Sequence, residues 1–206
     1  MIVVVDYGMG NIGSIANMLR KLGVQARISA DHSVIESAGK LILPGVGAFD
    51  QGMQNLSDRG LIPLLTRKVM EEKVPVLGVC LGMQLFARTS EEGRCTGLGW
   101  LDAAAVRFPP GEEGSRLKVP HMGWNTIAVR RPHPILAGLE EGARFYFVHS
   151  YHVVCREPDV VLARTSYGMD FVSAVAAANV VGVQFHPEKS HRFGMQLYRN
   201  FANEPA

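Results

Sequence analysis

The pattern of apolar and polar positions changes character near the middle of the chain. Ile2-Val3-Val4-Val5 is an unbroken β-branched run, which suits a strand buried on both faces of a parallel sheet. A helix is predicted over residues 11–22 with Gly23 as its stop, then a strand over 24–29 and a short helix over 33–38. Lys40-Leu41-Ile42-Leu43 reads as a strand that runs into Pro44-Gly45-Val46-Gly47, where proline ends the ladder and the glycines free the peptide units to turn. Helical segments over 48–56 and 62–72 are separated by Asp58-Arg59-Gly60. Val74-Pro75-Val76-Leu77-Gly78-Val79 is the next apolar strand, and a helix opens directly after Cys80. Strand and helix alternate through residue 90, which predicts an α/β fold with a mostly parallel, doubly wound central sheet flanked by helices.

After residue 95 the segments shorten. Strands are predicted over 101–108, 117–119, 125–129, 144–148, 153–155, 160–165 and 171–176, with Pro109-Pro110-Gly111, Arg131-Pro132-His133-Pro134 and Tyr167-Gly168 as turns. This predicts an additional antiparallel β region in the C-terminal half. No linker, repeat or low-complexity stretch separates the halves, so 1–206 is expected to be a single domain.

Composition narrows the function classes. With 206 residues, the chain is long enough to bury about 70% of its unfolded surface around one core without disulfide or metal. A net charge of +2 and the lack of any Lys/Arg run argue against a nucleic-acid partner. No apolar run approaches a membrane span, and the amino terminus has no signal-peptide pattern. Cys80, Cys95 and Cys155 are odd in number and widely spaced, a cytoplasmic pattern that offers no metal-ligand spacing.

The chemistry concentrates in three stretches. Gly78-Val79-Cys80-Leu81-Gly82 has the spacing of a nucleophile elbow with cysteine at its centre. There the helix amides favour the thiolate, which is the reactive form. The alternative is an inert core cysteine, since cysteine is among the most buried residue types. Val180-Val181-Gly182-Val183-Gln184-Phe185-His186-Pro187-Glu188 is a strand ending in His-Pro-Glu. In extended chain, residues two apart share a side, so Glu188 can reach one imidazole nitrogen while the other faces a nucleophile. The alternative is a structural histidine beside a solvated turn. The Val46 loop leaves the same sheet edge as Cys80, and together the three stretches describe a Cys-His-Glu triad beside a set of backbone amides. A fourth stretch, Gly8-Met9-Gly10-Asn11-Ile12-Gly13, has Asp31 near the end of the next strand. It also matches a dinucleotide-binding pattern, against which stands a close-packed loop.

At these residues the chain resembles the class I (triad) glutamine amidotransferases, and among them the glutaminase subunits of imidazole glycerol phosphate synthase in histidine biosynthesis. The resemblance is carried by Asp6-Tyr7-Gly8-Met9-Gly10-Asn11, Pro44-Gly45-Val46-Gly47, Gly78-Val79-Cys80-Leu81-Gly82-Met83-Gln84, Pro120-His121-Met122-Gly123-Trp124-Asn125, Tyr146-Phe147-Val148-His149-Ser150-Tyr151 and Phe185-His186-Pro187-Glu188-Lys189-Ser190. Residues 109–116 and the short tail after Asn200 are where family variation is expected.

The resemblance implies a flavodoxin-like sheet, with Cys80 as nucleophile, His186 as general base and acid, and Glu188 as its orienting partner. It assigns the backbone N–H groups of Val46 and Leu81 to an oxyanion hole. Gln84, Glu92 and the main chain of His149, Ser150 and Tyr151 are assigned to the two charged ends of L-glutamine. Glu91 is the neighbour that a one-residue shift would put in place of Glu92. The resemblance also implies a heterodimer with a barrel-fold cyclase subunit that consumes ammonia, with Asn11, Trp124 and Lys189 on the docking face. Neither cofactor nor metal is implied. Other triad glutaminases and a nucleotide-binding module remain as alternatives. The mobile peptides around Val46 add the expectation that the oxyanion hole is completed only when the partner is loaded.

Overall fold

The computed structural model describes residues 1–109 and 118–204. Six elements lead to the elbow from the amino terminus: β1 (Ile2–Val5), α1 (Ile12–Lys21), β2 (Ala26–Ser29), α2 (His32–Glu36), β3 (Lys40–Gly45) and α3 (Phe49–Asp58). α4 (Leu61–Thr66) follows and passes into one π-helical turn, Arg67–Glu71, before β4 (Val76–Cys80) and α5 (Leu81–Leu85). The remaining strands are β5 (Thr89–Ser90), β6 (Ala103–Arg107), β7 (His121–Thr126), β8 (Ala128–Val129), β9 (Arg144–His149), β10 (Tyr151–Cys155), β11 (Val161–Tyr167), β12 (Met169–Ala177) and β13 (Val180–Val183). α6 (His191–Asn203) closes the chain.

Among the described residues, eleven strands form one sheet in the order β2-β1-β3-β4-β13-β12-β10-β6-β5, with β11 pairing β12 and β8. From β2 to β13 the pairs are parallel, and from β13 to β6 they are antiparallel. β7 and β9 make a separate antiparallel ribbon. This is the predicted mostly parallel sheet with an antiparallel C-terminal extension.

The unbroken apolar strands are explained by helices on both faces. Val3 and Val5 of β1 share one core with Phe49, Leu56 and Leu61 from α3 and α4. Ile2 and Val4 share the other with Ile15 and Leu19 of α1 and with Leu197 and Phe201 of α6. α6 has no counterpart among the predicted elements, although Phe193, Leu197 and Phe201 recur at helical spacing. It begins directly after the His-Pro-Glu turn, and its fully buried Leu197, Tyr198 and Phe201 pack it against the sheet. The strand predicted over 117–119 does not form at Lys118 and Val119, which lie in irregular chain; Leu117 and residues 110–116, part of the stretch where family variation is expected, fall outside the described residues.

Register sets the site. β3, β4 and β13 run parallel side by side, with Gly45 opposite Cys80 and Val183 opposite Val79. Val46, Cys80 and the residues that follow Val183 therefore leave one carboxyl edge together. No helix of the described residues is long and apolar enough to cross a membrane.

Candidate active site

Cys80 sits where β4 ends and α5 begins, with φ 54° and ψ −110°. A residue with a side chain occupies this region only where surrounding structure compels it. The glycines on either side explain how the turn is packed. A Cβ on Gly82 would lie 1.8 Å from the Leu43 carbonyl oxygen, and one on Gly78 would lie 2.5 Å from the Phe86 ring. The chain thus turns sharply enough to bring Cys80, 6% exposed, into the lining of a cleft. The N–H of Leu81, in the first turn of α5, has no partner within its own helix.

His186 follows β13. Its own N–H bonds the Tyr146 carbonyl at 2.8 Å, and its carbonyl accepts from Ser190 Oγ at 2.6 Å, so the backbone is held from two sides. The chain does not stay extended as predicted: Pro187–Lys189 is a 3-10 turn. The turn still sets Glu188 Oε1 2.8 Å from His186 Nδ1, with both side chains 1% exposed. The same oxygen accepts from Asn11 Nδ2 at 2.9 Å.

The electrostatics follow from this packing. Burial opposes charge on His186, yet the charge of a Cys80 thiolate and its attraction for the ring proton, reinforced by Glu188, raise the imidazole above its ordinary value. Nε2 is buried and outside strict hydrogen-bond geometry with any group of the described residues, while Cys80 is close enough to shift the ring's titration. Burial also works against the Glu188 carboxylate, but the His186 hydrogen bond and charge, then Asn11, hold its pKa below the ordinary value.

The cleft has a volume of about 240 Å³, which suits a small molecule. Val46, Cys80, Leu81, Gln84 and Glu92 line it from one half of the chain, and His149, Ser150 and Tyr151 from the other. All the residues assigned above to nucleophile, oxyanion hole and substrate therefore line one cleft, with His186 near Cys80 and Glu188 bonded to His186. The two adjacent glutamates differ in position. Glu92 faces the cleft and accepts from the Phe49 N–H at 2.9 Å, whereas Glu91 is engaged by the Arg107 N–H at 2.7 Å.

Several polar residues at the site are not singled out by spacing. His149 Nδ1 bonds the Tyr151 carbonyl at 2.7 Å, and its Nε2 meets His121 Nδ1 at 3.2 Å. His121 Nε2 in turn meets Asn125 Nδ2 at 3.3 Å. Burial pushes His149 down to about 3 and His121 to about 4, so both rings are neutral near pH 7. The tautomers follow: His149 donates from Nδ1 to a carbonyl that can only accept, and His121 donates from its own Nδ1 to His149. Gln184, fully buried, reaches the Cys80 sulfur from Nε2 at 3.6 Å. Its signal in the sequence is a carboxamide in an otherwise apolar strand, two residues before His186.

Trp124, Lys189 and Asn11 have separate fates. Trp124 is 40% exposed and stacks on His191 with ring centroids 5.4 Å apart, so it is not core. Lys189 lies over the Tyr146 ring at 5.5 Å, and Met122 beside them is 62% exposed. Asn11 is half-buried and directs its amide at Glu188. The glycine loop preceding it has other work than a dinucleotide: Gly10 packs on Pro44, and Asp31 caps α2 by accepting from Ser33 and Val34.

Comparison with known proteins gives the family. Residues 3–204 match the family model "Glutamine amidotransferase class-I". The chain is 56% identical to imidazole glycerol phosphate synthase subunit HisH 2 of Pseudomonas aeruginosa, over 98% of both chains. It is 51% identical to the HisH 2 subunit of Methanococcus maripaludis, over 99% of this chain and 100% of that one. The fold alone is shared with PurLQS of Thermotoga maritima, at TM-score 0.73 and 20% identity over 98% of this chain and 97% of that one. The chain belongs to the class I glutamine amidotransferases and, within them, to the family of the imidazole glycerol phosphate synthase subunit HisH.

Proposed function

We propose that this chain is the glutaminase of a two-subunit imidazole glycerol phosphate synthase in histidine biosynthesis, working in the cytoplasm as a heterodimer with a cyclase. The observation that carries the catalytic reading is the strained Cys80 elbow facing a buried His186 whose other nitrogen is 2.8 Å from Glu188. The thiolate attacks the side-chain amide carbon of L-glutamine, and the carbonyl oxygen takes up negative charge. The N–H groups of Val46 and Leu81 are the donors for that oxyanion; losing one such donor costs about 3 to 4 kcal/mol in comparable sites. The tetrahedral species collapses as the C–N bond breaks, and His186 gives its proton to the departing ammonia. His186 then takes a proton from water, which attacks the γ-glutamyl thioester and releases glutamate and the thiolate.

Gln84 and Glu92 hold the α-amino end of the substrate, and the main chain of His149 to Tyr151 the rest of its polar groups. Ammonia lost to solvent is protonated and no longer nucleophilic, so a glutaminase of this kind needs an acceptor enzyme docked over it. Trp124 and Lys189, exposed beside the turn that carries His186, form the docking face, with Asn11 at its inner edge. Val46, 43% exposed before Gly47 at φ 121°, is the element through which the docked partner completes the oxyanion hole.

The test is transfer of amide-labelled ammonia from glutamine into the cyclase product with both subunits mixed. Label in the product supports the reading, along with a hydrolysis rate that rises when the cyclase and its ligand are added. Unlabelled product, or no association of the subunits, overturns it.

A further inference from the structure

Two carboxamides stand in line behind the Cys80 sulfur. Gln184 Nε2 is 3.6 Å from Sγ, an ordinary separation for an N–H donor on sulfur, and Gln184 Oε1 accepts from Gln84 Nε2 at 3.1 Å. The second N–H of Gln84 goes to the Tyr151 carbonyl at 3.0 Å. That carbonyl only accepts, and so turns the nitrogen end of Gln84 toward itself. Gln184 must then present its oxygen to Gln84 and its N–H to the sulfur. Both carboxamides are buried, Gln184 completely. Burying them there costs free energy that only satisfied hydrogen bonds offset.

We propose that Gln184 is a further catalytic residue that holds the Cys80 sulfur as a thiolate, and that Gln84 is a positioning residue that aims and strengthens this donor. The proposal rests on the reading of Cys80 as the nucleophile. A donor to an ionised sulfur makes a charge-assisted hydrogen bond, stronger than its neutral counterpart, and a donor whose own oxygen is hydrogen-bonded is polarised further. The residue that grips glutamine is thereby wired to the atom that attacks it.

The other ionisable groups around the sulfur are His186 with Glu188 behind it, Tyr7 from the chain after β1, and His149 and Glu92 across the cleft. Burial, followed by Cys80 itself, raises Tyr7 far above its ordinary value, so it stays a neutral phenol. All of them remain in the variants that test Gln184.

The test follows alkylation of the full chain by iodoacetamide across pH, with the adduct on Cys80 counted separately from those on Cys95 and Cys155. This reagent needs no glutamine site. Gln184→Met is expected to move the Cys80 midpoint up by about one pH unit. Gln184→Leu, which also removes the donor, is expected to move it by about as much. Gln84→Met is expected to give a smaller rise alone and none on top of Gln184→Met. Unmoved midpoints in either Gln184 variant, with Cys80 still the fastest-labelled cysteine, overturn the proposal and leave the nucleophile reading intact. Wild-type Cys80 labelled no faster than Cys95 overturns both. The two Gln184 variants give independent readings, so one that fails to fold leaves the other to decide.

Discussion

Asn11 and Glu188, 177 positions apart in the chain, are joined by a 2.9 Å hydrogen bond to the same carboxylate oxygen that holds His186. The loop after β1 thus acts on the far end of the triad. Asn11→Ala is expected to lower kcat by about tenfold with little change in KM, because it frees a carboxylate that orients the base and leaves the cleft untouched. Steady-state kinetics with the cyclase present measure this; an equal fall in kcat/KM carried wholly by KM would place Asn11 at the substrate instead.

The pH behaviour of His186 depends on Glu188. The imidazole pKa is raised in the folded chain, so its protonated form, and the stability gained from it, is fully present below the unfolded value and lost as pH rises through the raised one. Glu188 is depressed, so its contribution is present above the unfolded carboxylate value and lost as pH falls through the depressed one. In Glu188→Gln the His186 titration, followed by NMR of the ring nitrogens, is expected to move to lower pH. Activity is expected to fall by about 10²- to 10⁴-fold with it.

Gly82→Ala tests the elbow's packing. Its Cβ would meet the Leu43 carbonyl oxygen at 1.8 Å, a backbone atom that cannot give way cheaply. The expected loss is about 1–3 kcal/mol or more of unfolding free energy, read from the urea midpoint, together with loss of activity. Gly13→Ala, where a Cβ meets nothing within 4 Å, is the control and is expected to be near neutral.

Glu92 and Glu91 provide a matched pair. Glu92→Gln removes a cleft-facing charge and is expected to raise KM for glutamine by about 10- to 100-fold. Glu91→Gln, whose carboxylate serves the Arg107 backbone, is expected to change KM less than about twofold.

The features legible in the sequence are those that depend on near neighbours. The elbow announces itself because Gly78 and Gly82 are required by clashes two residues from Cys80, and the parallel strands announce themselves because burial on both faces leaves no polar position between Ile2 and Val5. Contacts made across the chain carry no such local mark. Asn11 is named only through the resemblance, for a docking face, and Gln184 only as one position of a strand, because their partners come from other strands and loops. α6 has a regular apolar stripe, but the face that it packs on is provided by α1 and the sheet, far away in sequence. His-Pro-Glu is predicted to pair in extended chain, and the structure achieves the same pairing with a 3-10 turn, since proline suits the first position of such a turn as well as a stiff link.

The central claim is that glutamine is opened by the Cys80 sulfur. The direct measurement is to quench steady-state turnover with acid in the presence of the cyclase and locate the γ-glutamyl group by mass. The group is expected on Cys80 in the wild-type chain, with no adduct and no glutamine hydrolysis in Cys80→Ala. Full hydrolysis by Cys80→Ala, or a γ-glutamyl group on another residue, would contradict the account.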